Sequence, residues 1–314
     1  MNAISATERP SRAVLPGWSV PLVFVVAATS QYVGAALGVF LFDTTEPATV
    51  AWLRAAAAGV ALLAWRRPWR SRWTRRGIAV AAGFGIVTVS MNIVFYEAIA
   101  RIPLGTAVAI EFLGPVAVAT LGSRRARDLL AVVLVAVGVV LLAGVQLDVE
   151  PVGVGFAVAS AVLWAGYILV GKRVADAGDG QDSLAVGMAA AAVLLAPVVL
   201  IPQVAIDASV FADPRTWMLG LGVGVLSSAV PYALDQVVLT AVGRARFALL
   251  LALLPATAAV VGAVALSQRL TVPELAGIAL VMLALTVSAL PTRQPAPEPP
   301  APLSPDRRLD PHAA

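Results

Sequence analysis

The sequence predicts an all-α polytopic membrane protein, with ten transmembrane helices built as two inverted five-helix repeats. Three observations carry that expectation. Of 314 residues, 60% are hydrophobic and only 13% are charged, far from the balance of a domain whose surface faces water. Ten apolar runs reach the length of about 20 residues that a helix needs to cross a bilayer. Arginine and lysine crowd into alternate connections between those runs, as the positive-inside rule requires of cytoplasmic loops.

Taken in order, the runs fall at roughly 18–42, 48–65, 77–100, 103–121, 128–146, 152–171, 184–204, 216–240, 245–266 and 272–290, with Pro, Gly or charge at their ends. Short connections favour antiparallel neighbours in one bundle. Residues 1–17 carry Arg9 and Arg12 ahead of an apolar stretch too long for a signal-peptide core, without a small-residue cleavage site, and are expected to remain as a cytoplasmic tail. With that start, eighteen Arg and Lys fall in cytoplasmic segments, six of them in RRPWRSRWTRR (66–76). Only Arg101, Arg215 and Arg269 fall outside, and Arg54 lies within a run. A miscounted helix would scramble this alternation, so both termini are expected in the cytoplasm of a bacterium, with the chain in its inner membrane. The repeats then cover 18–146 and 147–290. The tail 291–314 has eight prolines and almost no large apolar residue, a composition that predicts disorder.

Composition also excludes chemistry. There is no cysteine, and the single histidine, His312, lies in the proline-rich tail, so thiol reactions, thiolate metal sites and a Ser-His-Asp triad are not expected. No metal or cofactor is expected either. The net charge of +4 reports topology rather than nucleic-acid binding, because the basic residues sit between apolar runs. GLGVGV (220–225) has the spacing of a nucleotide loop but lies inside an apolar run, where small residues permit close helix packing.

An odd number of crossings per half inverts the second half relative to the first, an architecture common in secondary transporters. Aligning 92–123 with 232–263 without gaps pairs Leu113 with Leu253, Pro115 with Pro255, Ala119 with Ala259 and Gly122 with Gly262. The paired prolines are expected to break both helices in the same place, each freeing a backbone carbonyl.

Ionisable groups inside spans are the sharpest functional signal, since each costs about 2.5 to 3.5 kcal/mol at a helix centre. Arg54, Glu97, Glu111 and Asp235 qualify. Glu111 is the deepest carboxylate, roughly 12 Å into its span at helical rise, and shares a face with Ala107 and Pro115. It is the expected proton-coupling group, or else the partner of Arg54 in a static pair. Arg54 is expected to snorkel outward or to pair with Glu97 or Glu111. Asn92 and Tyr96 share a face of the third run, and the repeat alignment maps them onto Tyr232 and Gln236. With mid-span Gln31, these polar groups complete the expected substrate-binding set. Trp164 and Tyr167 read first as packing aromatics.

The strings NIVFYEAIARIPLGTAVAIEFLGPVAVATLGSRRARDLL (92–130), SSAVPYALDQ (227–236) and FALLLALLPATAAVVGAVALSQRLTVPELAGI (247–278) resemble the EamA-type transporters of the drug/metabolite transporter superfamily, and within them the bacterial threonine/homoserine exporter branch. The resemblance spans nearly the whole chain except its tails, IEFLGP and LLPATAA being its most specific parts. It implies two inverted five-helix halves around a central cavity, and proton-coupled export of a small polar metabolite, such as threonine or homoserine, by alternating access. The expected partners are that small solute, protons and membrane lipid, not nucleic acid, with the chain a monomer or homodimer. One alternative is efflux of cationic drugs, using Glu111 with Trp164, Tyr167 and Tyr96 as cation–π walls. Another is an intramembrane enzyme acting on lipid carriers, whose acidic groups would have to come from DAGDGQD (176–182).

Overall fold

A computed structural model describes residues 18–70, 73–120, 125–147, 150–176 and 180–289. The secondary structure among them is helical: α1 (Ser19–Val39), α2 (Pro47–Arg66), α3 (Arg75–Ile99), α4 (Leu104–Glu111), α5 (Leu113–Thr120), α6 (Ala126–Leu147), α7 (Pro151–Asp176), α8 (Gly180–Ile206), α9 (Pro214–Gly224), α10 (Val230–Leu250), α11 (Leu254–Ala265) and α12 (Val272–Ala289). Six of these, α1, α2, α3, α7, α8 and α12, contain stretches long and apolar enough to cross a bilayer, and Leu104–Thr120 and Leu251–Ala265 are shorter apolar helical segments. The expected tails 1–17 and 291–314 lie outside the described residues.

Local chemistry explains where the helices begin. Pro47 opens α2, where its missing N–H costs nothing. The Thr74 hydroxyl accepts from the Gly77 N–H to cap α3, and Asp213 accepts from the Arg215 N–H to cap α9. At the start of α12, Thr271 and Glu274 form a reciprocal capping box, with Thr271 donating to Glu274 from N–H and hydroxyl, both at 2.8 Å.

Three helix irregularities all precede prolines. The fourth apolar run is not one helix: it breaks at Phe112 between α4 and α5, because Pro115 has no N–H for the Glu111 carbonyl. A 3-10 turn, Leu251–Leu253, precedes α11, because Pro255 has none for Leu251. Between α9 and α10 the chain widens into a π-turn, Val225–Ala229, just ahead of Pro231. The connection expected at 241–244 is instead helical and belongs to α10. It holds Ala, Val, Gly and Arg but no proline, and a single glycine costs only about 1 kcal/mol in a helix, too little to stop it before the Pro255 region.

Packing interleaves the two sequence halves. α3 lies against α7 and α8, while α9, the π-turn and α10 lie against α1 and α2. Further contacts join α2 to α8, α4 to α11 and α6 to α12. Small residues set the closest approaches. A Cβ at Gly85 would fall 1.9 Å from the Gly187 carbonyl oxygen, so α3 and α8 meet backbone to backbone. Polar ties cross the halves as well: Gln203, fully buried, accepts from the Glu46 N–H at 2.8 Å, and Gln268 accepts from the Leu104 N–H at 3.0 Å. The main core gathers α1 and α3 to α7 with α11 and α12, leaving a polar chamber where α1, α2, α3 and the π-turn converge.

Candidate functional site

Pro231 builds the centre of this chamber by what it lacks. Its missing N–H leaves the carbonyls of Leu226 and Ser227, five and four residues earlier, without a helical donor. Neighbouring helices supply donors instead. The Ser30 hydroxyl of α1 donates to the Leu226 carbonyl at 2.9 Å. Arg54 Nη2 of α2 donates to the Ser227 carbonyl at 3.0 Å, and its Nε donates to Ser228 Oγ at 3.2 Å. The Ser227 hydroxyl in turn donates to the Gln31 carbonyl at 3.0 Å. Only glycine fits opposite: a Cβ at Gly34 would fall 2.3 Å from Ser227 Oγ and 2.7 Å from its backbone nitrogen.

Arg54 does not snorkel, and among the described residues it forms no ion pair. Tyr96, fully buried on α3, presents its ring 5.7 Å from the guanidinium carbon. The Tyr96 hydroxyl lies near Arg54 and Ser227, and no atom among the described residues meets it in hydrogen-bond geometry. Among the described residues, the chamber therefore holds a cation with spare N–H donors beside a buried hydroxyl with no partner.

Glu111, at the last position of α4, is buried. Its Oε1 accepts a short hydrogen bond from the Ser160 hydroxyl of α7, which also lies 3.4 Å from the Met91 carbonyl of α3. Ser160 suits either protonation state. It donates to an ionised Glu111, and for a protonated Glu111 it can accept while turning its own hydrogen toward Met91. Tyr32 of α1 lies within electrostatic range of Glu111, Arg54 and Asp235. The expected static pair of Glu111 with Arg54 is not formed.

A family model, the EamA-like transporter family, matches residues 151–290. The threonine/homoserine exporter RhtA of Salmonella typhimurium (strain LT2) is 35% identical over 288 residues, covering 89% of this chain and 94% of the relative. Its Escherichia coli (strain K12) counterpart is 34% identical with the same coverage. The chain belongs to the EamA-like transporter family. A crystal structure with 16% identity matches at a TM-score of 0.55 over 86% of this chain and 94% of its own, a likeness of fold.

Membership in the EamA-like family makes this multi-pass membrane protein a transporter and sets aside the intramembrane enzyme. The other sequence-predicted residues of this EamA-like chain are scattered. Glu97 is taken by Arg101, one turn on, at 2.6 Å, and Arg101 covers the Phe156 ring at 5.1 Å. Asn92 is buried and donates to the Thr88 carbonyl of its own helix at 2.9 Å. Tyr232 packs edge-on against Trp65 at 6.2 Å, in range of Arg66 and Asp182, whose ion pair joins α2 to α8. That is another locality from Arg54. Gln31 joins the chamber through its carbonyl, and the Gln236 side chain lies outside the described residues. Trp164 packs on Phe112 at 4.8 Å, and Tyr167 stacks on Phe84 at 5.0 Å. Ser160, Ser227 and Ser228 were not singled out in the sequence. The legible signal for Ser160 was its position one turn before Trp164, on the same helix face; for the serine pair it was the proline three residues beyond Ser228.

Proposed function

We propose that this transporter exports a small polar amino acid, of the threonine or homoserine type, across the bacterial inner membrane in exchange for protons. The observation that carries the reading is a partly buried cation, Arg54, and a buried carboxylate, Glu111, each held by separate neutral partners rather than by the other. Such a dipolar site suits a zwitterion. Arg54 attracts the carboxylate, and Glu111 gives up a proton when the ammonium arrives, so that one site alternates between proton and substrate. The RhtA relatives at 34–35% identity support the substrate class.

Alternating access by two inverted five-helix repeats, 18–146 and 147–290, with both termini cytoplasmic, completes the reading. Its support is the reciprocal packing, in which α3 meets α7 and α8 as α9–α10 meets α1 and α2, together with a helix break one turn ahead of both Pro115 and Pro255. Cationic-drug efflux is less favoured, because Arg54 would repel the cargo and the rings of Trp164 and Tyr167 are occupied by Phe112 and Phe84.

Counterflow in proteoliposomes tests the substrate class, with labelled threonine as probe against a panel of amino acids and lipophilic cations. Extrusion of the cations alone would refute it. For coupling, Glu111→Gln should abolish transport driven by a pH gradient while leaving counterflow in place. Recovery of gradient-driven transport in a Glu111→Gln, Arg54→Gln double variant would show Glu111 to be only a charge partner.

A further inference from the structure

Within that reading of the chamber, one arrangement offers more donors than the protein accepts. Pro231 deprives the Ser227 carbonyl of its helical donor, and the replacement is a flexible side chain from another helix, Arg54. Arg54 spends one Nη2 hydrogen on that carbonyl and its Nε hydrogen on Ser228, leaving three of its five N–H donors without partners among the described residues. It has no carboxylate partner there either, an expensive state for a cation well inside a membrane helix. The Tyr96 hydroxyl, buried beside the same groups, likewise has no partner in hydrogen-bond geometry among the described residues. One spot therefore offers several spare donors and a carbonyl acceptor whose present donor is exchangeable.

We propose that Arg54, the Tyr96 hydroxyl and the Ser227 carbonyl form a headgroup site for an α-amino acid, with the carboxylate on Arg54 and Tyr96 and the α-ammonium on the carbonyl that Pro231 exposes. The zwitterion inserts into the Arg54–Ser227 hydrogen bond and replaces both of its ends: a carboxylate oxygen takes over the Nη2 hydrogen, and an ammonium hydrogen takes over the carbonyl. Neither end of that hydrogen bond is left unpaired by the exchange. The direct Arg54–Ser227 link between α2 and the π-turn is thereby replaced by one through the substrate, while Arg54 Nε keeps its bond to Ser228. Glu111 remains the group that releases its proton as the ammonium arrives, as proposed above, and the Ser227 carbonyl sets recognition of the amine.

The experiment is counterflow of labelled threonine by the purified full chain in liposomes, in competition with two analogues. Threoninol lacks the carboxylate, and 2,3-dihydroxybutyrate carries a hydroxyl in place of the amine. The wild type should prefer threonine to each by about ten- to a hundredfold, the worth of one or two charge-assisted hydrogen bonds. Arg54→Lys, which keeps the charge but loses the fork, should shrink the preference over threoninol several-fold. Pro231→Ala restores an N–H to the turn and improves the helix, so it should melt no lower than wild type. It should nonetheless lose most of the preference over the amine-free analogue. A Pro231→Ala protein that keeps this preference overturns the headgroup site, as does an Arg54→Lys protein that still rejects threoninol as the wild type does. Wild-type protein that counterflows no amino acid would instead refute the export reading, and the site with it.

Discussion

Gly34→Ala should loosen the joint between α1 and the π-turn, and its cost can be worked from the structure. The new Cβ falls 2.3 Å from Ser227 Oγ and 2.7 Å from the Ser227 nitrogen. A hydroxyl can rotate away, but a backbone nitrogen cannot, so α1 must move. That movement strains the two hydrogen bonds between the elements, Ser30 to the Leu226 carbonyl and Ser227 to the Gln31 carbonyl. Overpacking costs about 1 to 3 kcal/mol and the two bonds about 0.6 kcal/mol each, while alanine regains about 1 kcal/mol of helix propensity over glycine. The net is a loss of roughly 1 to 3 kcal/mol. Gly83, whose Cβ would meet nothing within 4 Å, is the control: the same change there should be neutral or mildly stabilising. Unfolding in mixed micelles, followed by tryptophan fluorescence, measures both. If Gly34→Ala unfolds like Gly83→Ala, the close approach of α1 to the π-turn is wrong.

Three further outcomes are expected. Single cysteines at exposed Asp43 and Asp213 should react with an impermeant thiol reagent added to the periplasmic side, and one at exposed Arg70 should not; the reverse pattern refutes the orientation. Glu274→Gln should cost about 1 to 3 kcal/mol, because a buried residue accepts from Thr271 and Thr106, yet leave turnover per folded molecule unchanged, as counterflow normalised to monodisperse protein will show. Arg66→Gln removes a partly exposed 3.0 Å ion pair with Asp182 and should destabilise by at most about 1 kcal/mol, an effect that vanishes in high salt; a salt-independent loss would mean that the pair is shielded from solvent.

Much of this was legible from hydropathy and charge, since apolar length and loop arginines obey the bilayer directly. Glu111 and Arg54 stood out for the same reason, as costly groups in an apolar run. Their separate partners were not legible, because the Ser160 and Ser227 contacts join residues 49 and 173 positions apart. Tyr232 lies against Trp65 rather than beside Arg54 for a specific cause. A π-turn adds one residue to a helix and rotates everything beyond it by about 100° relative to an uninterrupted one. The alignment of 92–123 with 232–263 assumed regular helices throughout, and so could not report what turn-level distortion just upstream does to the faces that follow. The break at Phe112 was foreshadowed by Pro115, but helical residues 241–244 were hidden by Gly243 and two arginines that resemble a loop.

The interleaving of α3 with α7 and α8, and of α9–α10 with α1 and α2, bears on what can move and on how the chain is made. A body that rocks cannot consist of one sequence half, because each half's third apolar run is buried in the other. Under the proposed alternating access, rigid units would be drawn from both ends of the gene, with α4 and α11 as neighbours across the middle. During synthesis, α1 to α6 enter the membrane with the backbone seam at Gly85 still open, since its partner Gly187 is translated a hundred residues later. The first half thus waits in lipid as an unfinished surface, and a chain truncated after α6 should be cleared by quality control, whereas two half-length chains expressed together should assemble into one working transporter.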